Sequence, residues 1–312
     1  MSTSQEILER GYTKLVKEYK RLGIKPWRVV KFGLKPTWNA VIGTNGCCGV
    51  AISFRGNHTV YGGAQTRFTL DELKPYVGAS LFDVARDHMS SDIIRRRSIA
   101  LAALNALSQP LLDEGRLERL SHASVKGFHD VVTKDDLVVI IGYGGLVKEY
   151  LGRCRELHVT DMRPVESFKT VIVGDAVEYG PKEVTVHSAK DNEVVLSQAD
   201  VALITGSTLV NGTFDEVIGY ASKARIRCLY GPSAQLLPDI LFESGINAVM
   251  SVAIRDPALF EYDMVNEMDI EPALKRHQRK YVAWAPELTV ADAALSCEKT
   301  GPTDDGKTLG LL

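Results

Sequence analysis

Three apolar runs in the second half of the chain each lead into a glycine-bearing turn: LVVIIGYGG (137–145), VALITGSTLVNGT (201–213) and IRCLYGPS (226–233). Short runs of Val, Ile and Leu that stop at glycine and precede a helical pattern read as buried parallel strands. The pattern predicts strands near 138–141, 156–160, 183–187, 201–205, 226–230 and 248–253. Helices are expected between them over 145–154, 192–198, 213–221, 238–243 and 257–268. Such alternation means βαβ units and a parallel sheet covered on both faces.

The first half is patterned differently. Ile7, Leu8, Tyr12, Leu15, Val16 and Tyr19 repeat near a period of 3.6 after Ser4, and Gly23 and Pro26 follow. This predicts an amphipathic helix with a start and a stop. Strands are expected over 28–34, 38–44 and 48–54, with Asn45-Gly46 as a hairpin turn between the last two. Helices are expected over 70–76, 81–89 and 92–107, the last apolar enough to lie against a sheet. The fold class is therefore α/β, with an N-terminal α+β domain over 1–118 and a parallel-sheet domain over 119–285. A polar bridge spans 113–127, with a domain boundary near 113–130, and a polar tail is expected over 286–312. No internal repeat is found.

Composition narrows the class. At 312 residues two domains are the natural expectation, and the net charge of −2 gives no global field for nucleic acid. The cluster Arg95-Arg96-Arg97 reads as the solvated side of a helix, with an anion-contacting corner between domains as its rival. No segment reaches the roughly 20 apolar residues of a membrane span, and the N-terminus lacks a signal-peptide pattern, so a cytosolic protein is expected. Five cysteines (Cys47, Cys48, Cys154, Cys228 and Cys297) have no framework spacing and read as free thiols. Cys47 and Cys48 are adjacent, so a strand sends them to opposite faces. His88, His122, His129, His158 and His187 could meet only through folding, and no zinc-type ligand spacing is present. The sequence also holds no Gly-x-Ser-x-Gly elbow, Walker loop or His-Glu-x-x-His.

The candidate chemistry lies at the strand ends. Gly142, Gly144 and Gly145 form a turn between a strand and a helix, a context suited to an anion. Asp161 ends the next strand, where a carboxylate could take a ribose hydroxyl, but Val147 replaces the third glycine of the dinucleotide fingerprint. Thr205, Gly206, Ser207, Thr208, Asn211, Gly212 and Thr213 cluster hydroxyls and amides at another strand end. Thr213 and Glu216 have capping-box spacing, which accounts for Thr213 without a ligand but leaves Ser207, Thr208 and Asn211 unexplained. Gly231, Pro232 and Ser233 form either a structural turn or a ligand wall. Asn105, on an otherwise apolar helix, is either a satisfied core amide or a group facing the interdomain cleft.

These residues carry a resemblance. ITGSTLVNGTFDEV (204–217) and LYGPSAQLLPDILFESGINAV (229–249) resemble the putative heavy-metal-chelation family, as do GASLFDVA (78–85) and SIALAALNAL (98–107). The resemblance implies an N-terminal domain like that of enolase, a Rossmann-like second domain and a pocket between them. It also implies a role in heavy-metal chelation. Enolase activity does not follow, because the catalytic barrel is missing. The leading expectation is a protein that binds a small anionic or metal-chelate ligand, with a transition metal as companion. An enzyme using a nucleoside-containing cofactor and an assembly protein remain alternatives. Ligand identity, catalytic residues and homodimer formation stay open.

Overall fold

The computed structural model describes residues 6–55, 60, 68–112, 114–120, 131–168, 170–173, 176–179 and 183–286. The chain begins with helix α1 (Glu6–Leu22), which turns Ile7, Leu8, Leu15 and Tyr19 inward. Strands β1 (Val29–Leu34), β2 (Trp38–Gly43) and β3 (Cys48–Ile52) form an antiparallel meander. Asn45 and Gly46 sit between β2 and β3 with φ of 62° and 74°, the left-handed pair that such a turn requires. Helix α2 (Leu81–Met89) starts at Ser80, whose hydroxyl accepts from the Phe82 N–H. Helix α3 (Ile94–Ser108) follows.

Helix α3 is the centre of the molecule. Thirteen of its residues are buried, including every one from Ser98 to Ser108. A helix that is apolar on all sides belongs inside a core rather than on one face of it. Gly49 permits its closest approach to β3: a Cβ there would lie 2.1 Å from Ala102 O and 2.3 Å from Ala106 N.

The second sheet contains β4 (Leu137–Ile141), β5 (Glu156–Asp161), β8 (Thr185–Ser188), β9 (Val201–Thr205), β10 (Ile226–Tyr230), β11 (Ala248–Ile254) and β12 (Gln278–Trp284). A separate hairpin is formed by β6 (Thr170–Val173) and β7 (Ala176–Tyr179). The order across the large sheet is β12-β11-β10-β9-β4-β5-β8, and only β12 is antiparallel to its neighbour. The architecture is thus mixed α/β, with a small antiparallel sheet and a large, mostly parallel one. The strand order reverses between β4 and β9, the place where open α/β sheets leave a crevice.

One face of the large sheet, including Val139, Ile204 and Leu229, shares a continuous apolar cluster with α1 and α3. The other face packs Val138, Ile140 and Leu203 against Val147 and Tyr150 of helix Leu146–Tyr150. Cys47 belongs to the first cluster, whereas Cys48 belongs to a third, which joins Ala40 and Val50 to Phe260 and Met264. Burial pushes the Cys47 thiol up to about 12 and raises Cys48 as well.

Several expectations need correction. Residues 71–76 are helical as expected, in the form of a 3-10 helix with Pro75 inside it. The sequence pattern gave no sign of β6, β7, β12 or helix Glu271–His277. Residues 114–120 of the expected bridge form helix Glu114–Leu120, which lies against β12. The rest of that bridge and tail residues 287–312 lie outside the described residues, as do His122, His129 and Cys297. The arginine cluster is not a solvated face. Arg95 is buried and donates to Phe68 O, Arg96 pairs with Glu72, and Arg97 donates to Val210 O across the two halves.

A Gly49→Ala substitution should lower stability by about 3 kcal/mol, because a methyl group would collide with helix backbone that cannot rotate away. Gly219→Ala is the contrasting change: nothing lies within 4 Å of the added Cβ. It should be neutral or stabilise by up to about 1 kcal/mol. Urea unfolding of both variants checks this, and a wild-type midpoint for Gly49→Ala would refute the packing account.

Candidate functional site

At the reversal of strand order, the carboxyl ends of β4, β5, β9 and β10 open onto a cavity of 620 Å³. Its lining includes Gly142, Gly144, Asp161, Thr205, Gly206, Ser207, Thr208, Asn211, Thr213, Gly231, Pro232 and Ser233. Gly145 and Gly212 stand next to this lining without joining it. Gly142 and Gly231 have φ of 90° and 98°, so both turns need a left-handed residue just after the strand. Gly206 meets a different constraint, since a Cβ there would lie 2.9 Å from Ala234 N. Gly144 has open space on its Cβ side.

Asp161 organises the β4 turn. One carboxylate oxygen accepts from Tyr143 N (2.8 Å) and Arg163 Nη2 (2.8 Å). The other accepts from Arg163 N (2.8 Å) and Arg163 Nε (3.0 Å). Burial alone would raise this carboxyl, but the Arg163 side chain and the two backbone N–H groups outweigh it and hold it below the usual range. With four donors already bound, Asp161 has no acceptor capacity left for a ribose hydroxyl. Val147 is buried in the core where the dinucleotide fingerprint has its third glycine. Both observations weigh against nucleoside binding in the Rossmann manner.

The hydroxyl-rich segment divides by its partners. Thr208 Oγ1 donates to Thr205 O at 2.7 Å, and Thr208 is buried. Thr213 is not a capping hydroxyl: it donates to Asn211 Oδ1, which also accepts the Thr213 N–H. Asn211 therefore takes the Thr213 N–H that the capping-box spacing assigned to Glu216. Glu216 accepts from the Tyr220 hydroxyl instead of reaching back to form a capping box. Ser207 is only partly buried, and its hydroxyl meets Thr205 Oγ1 at 3.2 Å. Of these hydroxyls it is the one most available to a ligand.

Ser233 and Asn105 join the two halves. Ser233 Oγ accepts from Ile52 N at 3.0 Å, and Asn105 Nδ2 donates to Val50 O (2.8 Å) and Ser233 O (3.1 Å). Asn105 is fully buried and lies outside the cavity lining, so it is an interfacial core amide.

Other lining residues escaped the sequence reading. Tyr230 donates to Ile141 O at 3.0 Å and so braces β10 against the β4 turn, with burial raising its phenol. Arg163 lies over the Phe168 ring at 4.7 Å, and Tyr143 packs against the same ring. Tyr143 and Tyr230 adjoin the glycine turns, and that adjacency was the available signal. Trp38, Ile52 and Phe54 come from the first half and had none.

Comparisons with known proteins agree with this architecture. Two family models, each described as putative heavy-metal chelation, match residues 18–108 and 128–281. The chain belongs to this family. An uncharacterized protein of Methanocaldococcus jannaschii is 27% identical over 171 residues, 54% of this chain and 58% of that protein. The match thus spans little more than half of that relative's length. Two crystal structures of family members with unknown function share the fold. The one from Pyrococcus horikoshii has a TM-score of 0.61 at 21% identity, covering 89% of this chain and 100% of that one. The one from Desulfitobacterium hafniense has a TM-score of 0.65 at 20% identity, covering 90% and 98%.

Among the described residues, no group of three or more His, Cys, Asp or Glu side chains could hold a metal ion. His158 and His187 stack with Nδ1 and Nε2 3.0 Å apart, and the other His158 nitrogen meets Glu156. These nitrogens satisfy neighbours instead of converging on a centre. Among the described residues, no helix is long and apolar enough to cross a membrane.

Asp161→Asn should lower stability by about 2 kcal/mol near neutral pH, since it removes a buried charge that four hydrogen bonds satisfy. The folded pKa is depressed, so the wild-type advantage is present above the unfolded value of about 4. It then fades as pH falls through the folded value. Denaturant unfolding of both proteins from pH 3 to 7 measures this gap. A gap that widened toward acid would contradict the assignment.

Proposed function

We propose that this protein binds a small organic metal chelate in the cavity at the reversal of strand order. The organic ligand supplies most of the metal's donors, and the protein holds the complex through Ser207, the neighbouring turn and the glycine backbone. One observation carries the reading. A cavity of a size suited to a small ligand lies at the carboxyl ends of four strands, while the described residues offer no protein-only metal centre. A bare ion would need three or four converging side chains; a chelate needs only a shaped, partly polar hollow.

The strand order supports the same position. Numbered in chain order, the six parallel strands run 3-2-1-4-5-6 across the sheet, and open α/β sheets of that order generally bind ligands outside the strand ends at the reversal. The flanking halves contribute different chemistry. The second half provides hydroxyls, amides and turn backbone, whereas the first provides Trp38, Ile52 and Phe54.

Titration calorimetry with Ni²⁺, Cu²⁺, Zn²⁺ and Fe²⁺, each alone and with organic chelators, tests the proposal. Chelated metal should bind, and the free ion should bind at least ten-fold more weakly. Gly144→Leu fills space that is open beside the turn, so it should abolish chelate binding while leaving the unfolding midpoint near wild type. Ser207→Ala should weaken binding about five-fold, in keeping with the loss of one hydrogen bond of about 1 kcal/mol. Equal binding by wild type and Gly144→Leu would remove this cavity from consideration.

A further inference from the structure

We infer that the bound chelate is one with an apolar, aromatic body and little net charge, rather than a hydrophilic polyanion. This inference rests on the metal-chelate reading and narrows the class of chelator. Two independent features of the cavity lead to it.

The first is the charge of the walls. The ionic side chains in the described lining are Asp161, Arg163, Lys190 and Glu216, two of each sign. Asp161 and Arg163 are tied to one another, so neither offers an unbalanced charge to a ligand. A site for a citrate-like trianion would need an excess of cations to replace the water that such an ion gives up. The described lining has no such excess.

The second is the nature of the uncharged surface. Trp38, Ile52 and Phe54 form the wall from the first half, and Ile141, Tyr143 and Met162 face the cavity from the second. Phe54 reaches this position from a left-handed backbone, with φ of 55°, which is unfavourable for a bulky residue. Phe54 and Ile141 are already buried, so the open apolar surface belongs to Trp38, Ile52, Tyr143 and Met162. An aromatic ring covers that surface, whereas a hydrophilic ligand would set it against water or against its own polar groups. A hydrogen-bonding hydroxyl stands at one end, where Ser207 can meet the ligand's oxygen or nitrogen atoms.

The chemistry separates cleanly between two zinc complexes. Pyridine-2,6-dicarboxylate is a planar aromatic dianion and gives a neutral one-to-one complex with Zn²⁺. Citrate is an aliphatic trianion whose zinc complex stays negative and strongly hydrated. Calorimetric titration of the full-length protein with each complex, with Zn²⁺ alone and with each chelator alone, tests the inference. The aromatic complex should bind at least ten-fold more tightly than the citrate complex, and Gly144→Leu should remove its binding. Equal or tighter binding of zinc citrate would overturn the aromatic class but leave the metal-chelate reading in place. Heat from neither complex would overturn both. Tight binding of Zn²⁺ alone, unaffected by Gly144→Leu, would place the metal elsewhere and defeat both as well.

Discussion

The contact between helix α3 and strand β3 governs the rest of the structure. Gly49 brings the strand against the backbone of Ala102 and Ala106, closer than any side chain would allow. At that distance the Asn105 amide can donate to both Val50 O in the first sheet and Ser233 O beside the second. A buried amide left without partners would be costly, so these bonds fix the relative position of the two sheets as well as stabilising it. Gln235 reinforces the same junction: its side chain accepts from Val50 N and donates to Val252 O.

From that fixed junction the cavity follows. The large sheet ends in turns whose geometry glycine permits, and the first half lays apolar side chains across their mouths. Polar groups within the turns are mostly committed to building them: Asp161 binds Arg163 and Tyr143 N, Thr208 binds Thr205 O, and Tyr230 binds Ile141 O. A residue can therefore stand in the lining and still be structural. Ser207 differs from its neighbours because, among the described residues, its side-chain hydroxyl meets another hydroxyl, Thr205 Oγ1, that is itself at the cavity wall.

Sequence periodicity revealed the central strands of the large sheet, β4 and β9, because they are buried on both faces and read as nearly unbroken apolar runs. Residues 201–205 and 226–230 match the observed strands at both ends. The antiparallel β12 was missed because QRKYVAW is half-exposed and begins with three polar residues. The site was legible where glycine turns marked strand ends. It was not legible in Trp38, Ile52 and Phe54, whose place depends on how α3 brings the sheets together. Thr213 was misread for a local reason: the capping-box spacing was present, but Asn211 two residues earlier competes for the same backbone N–H and takes it.

The shared apolar cluster has a kinetic meaning. Enzymes and binding proteins that close like a clamshell keep two separate cores joined by a few hinge residues. Here α1, α3 and one side of the large sheet form a single interior, so opening the halves would amount to partial unfolding. On the proposed reading, a ligand would enter by the existing mouth of the cavity instead of through a swing of whole domains.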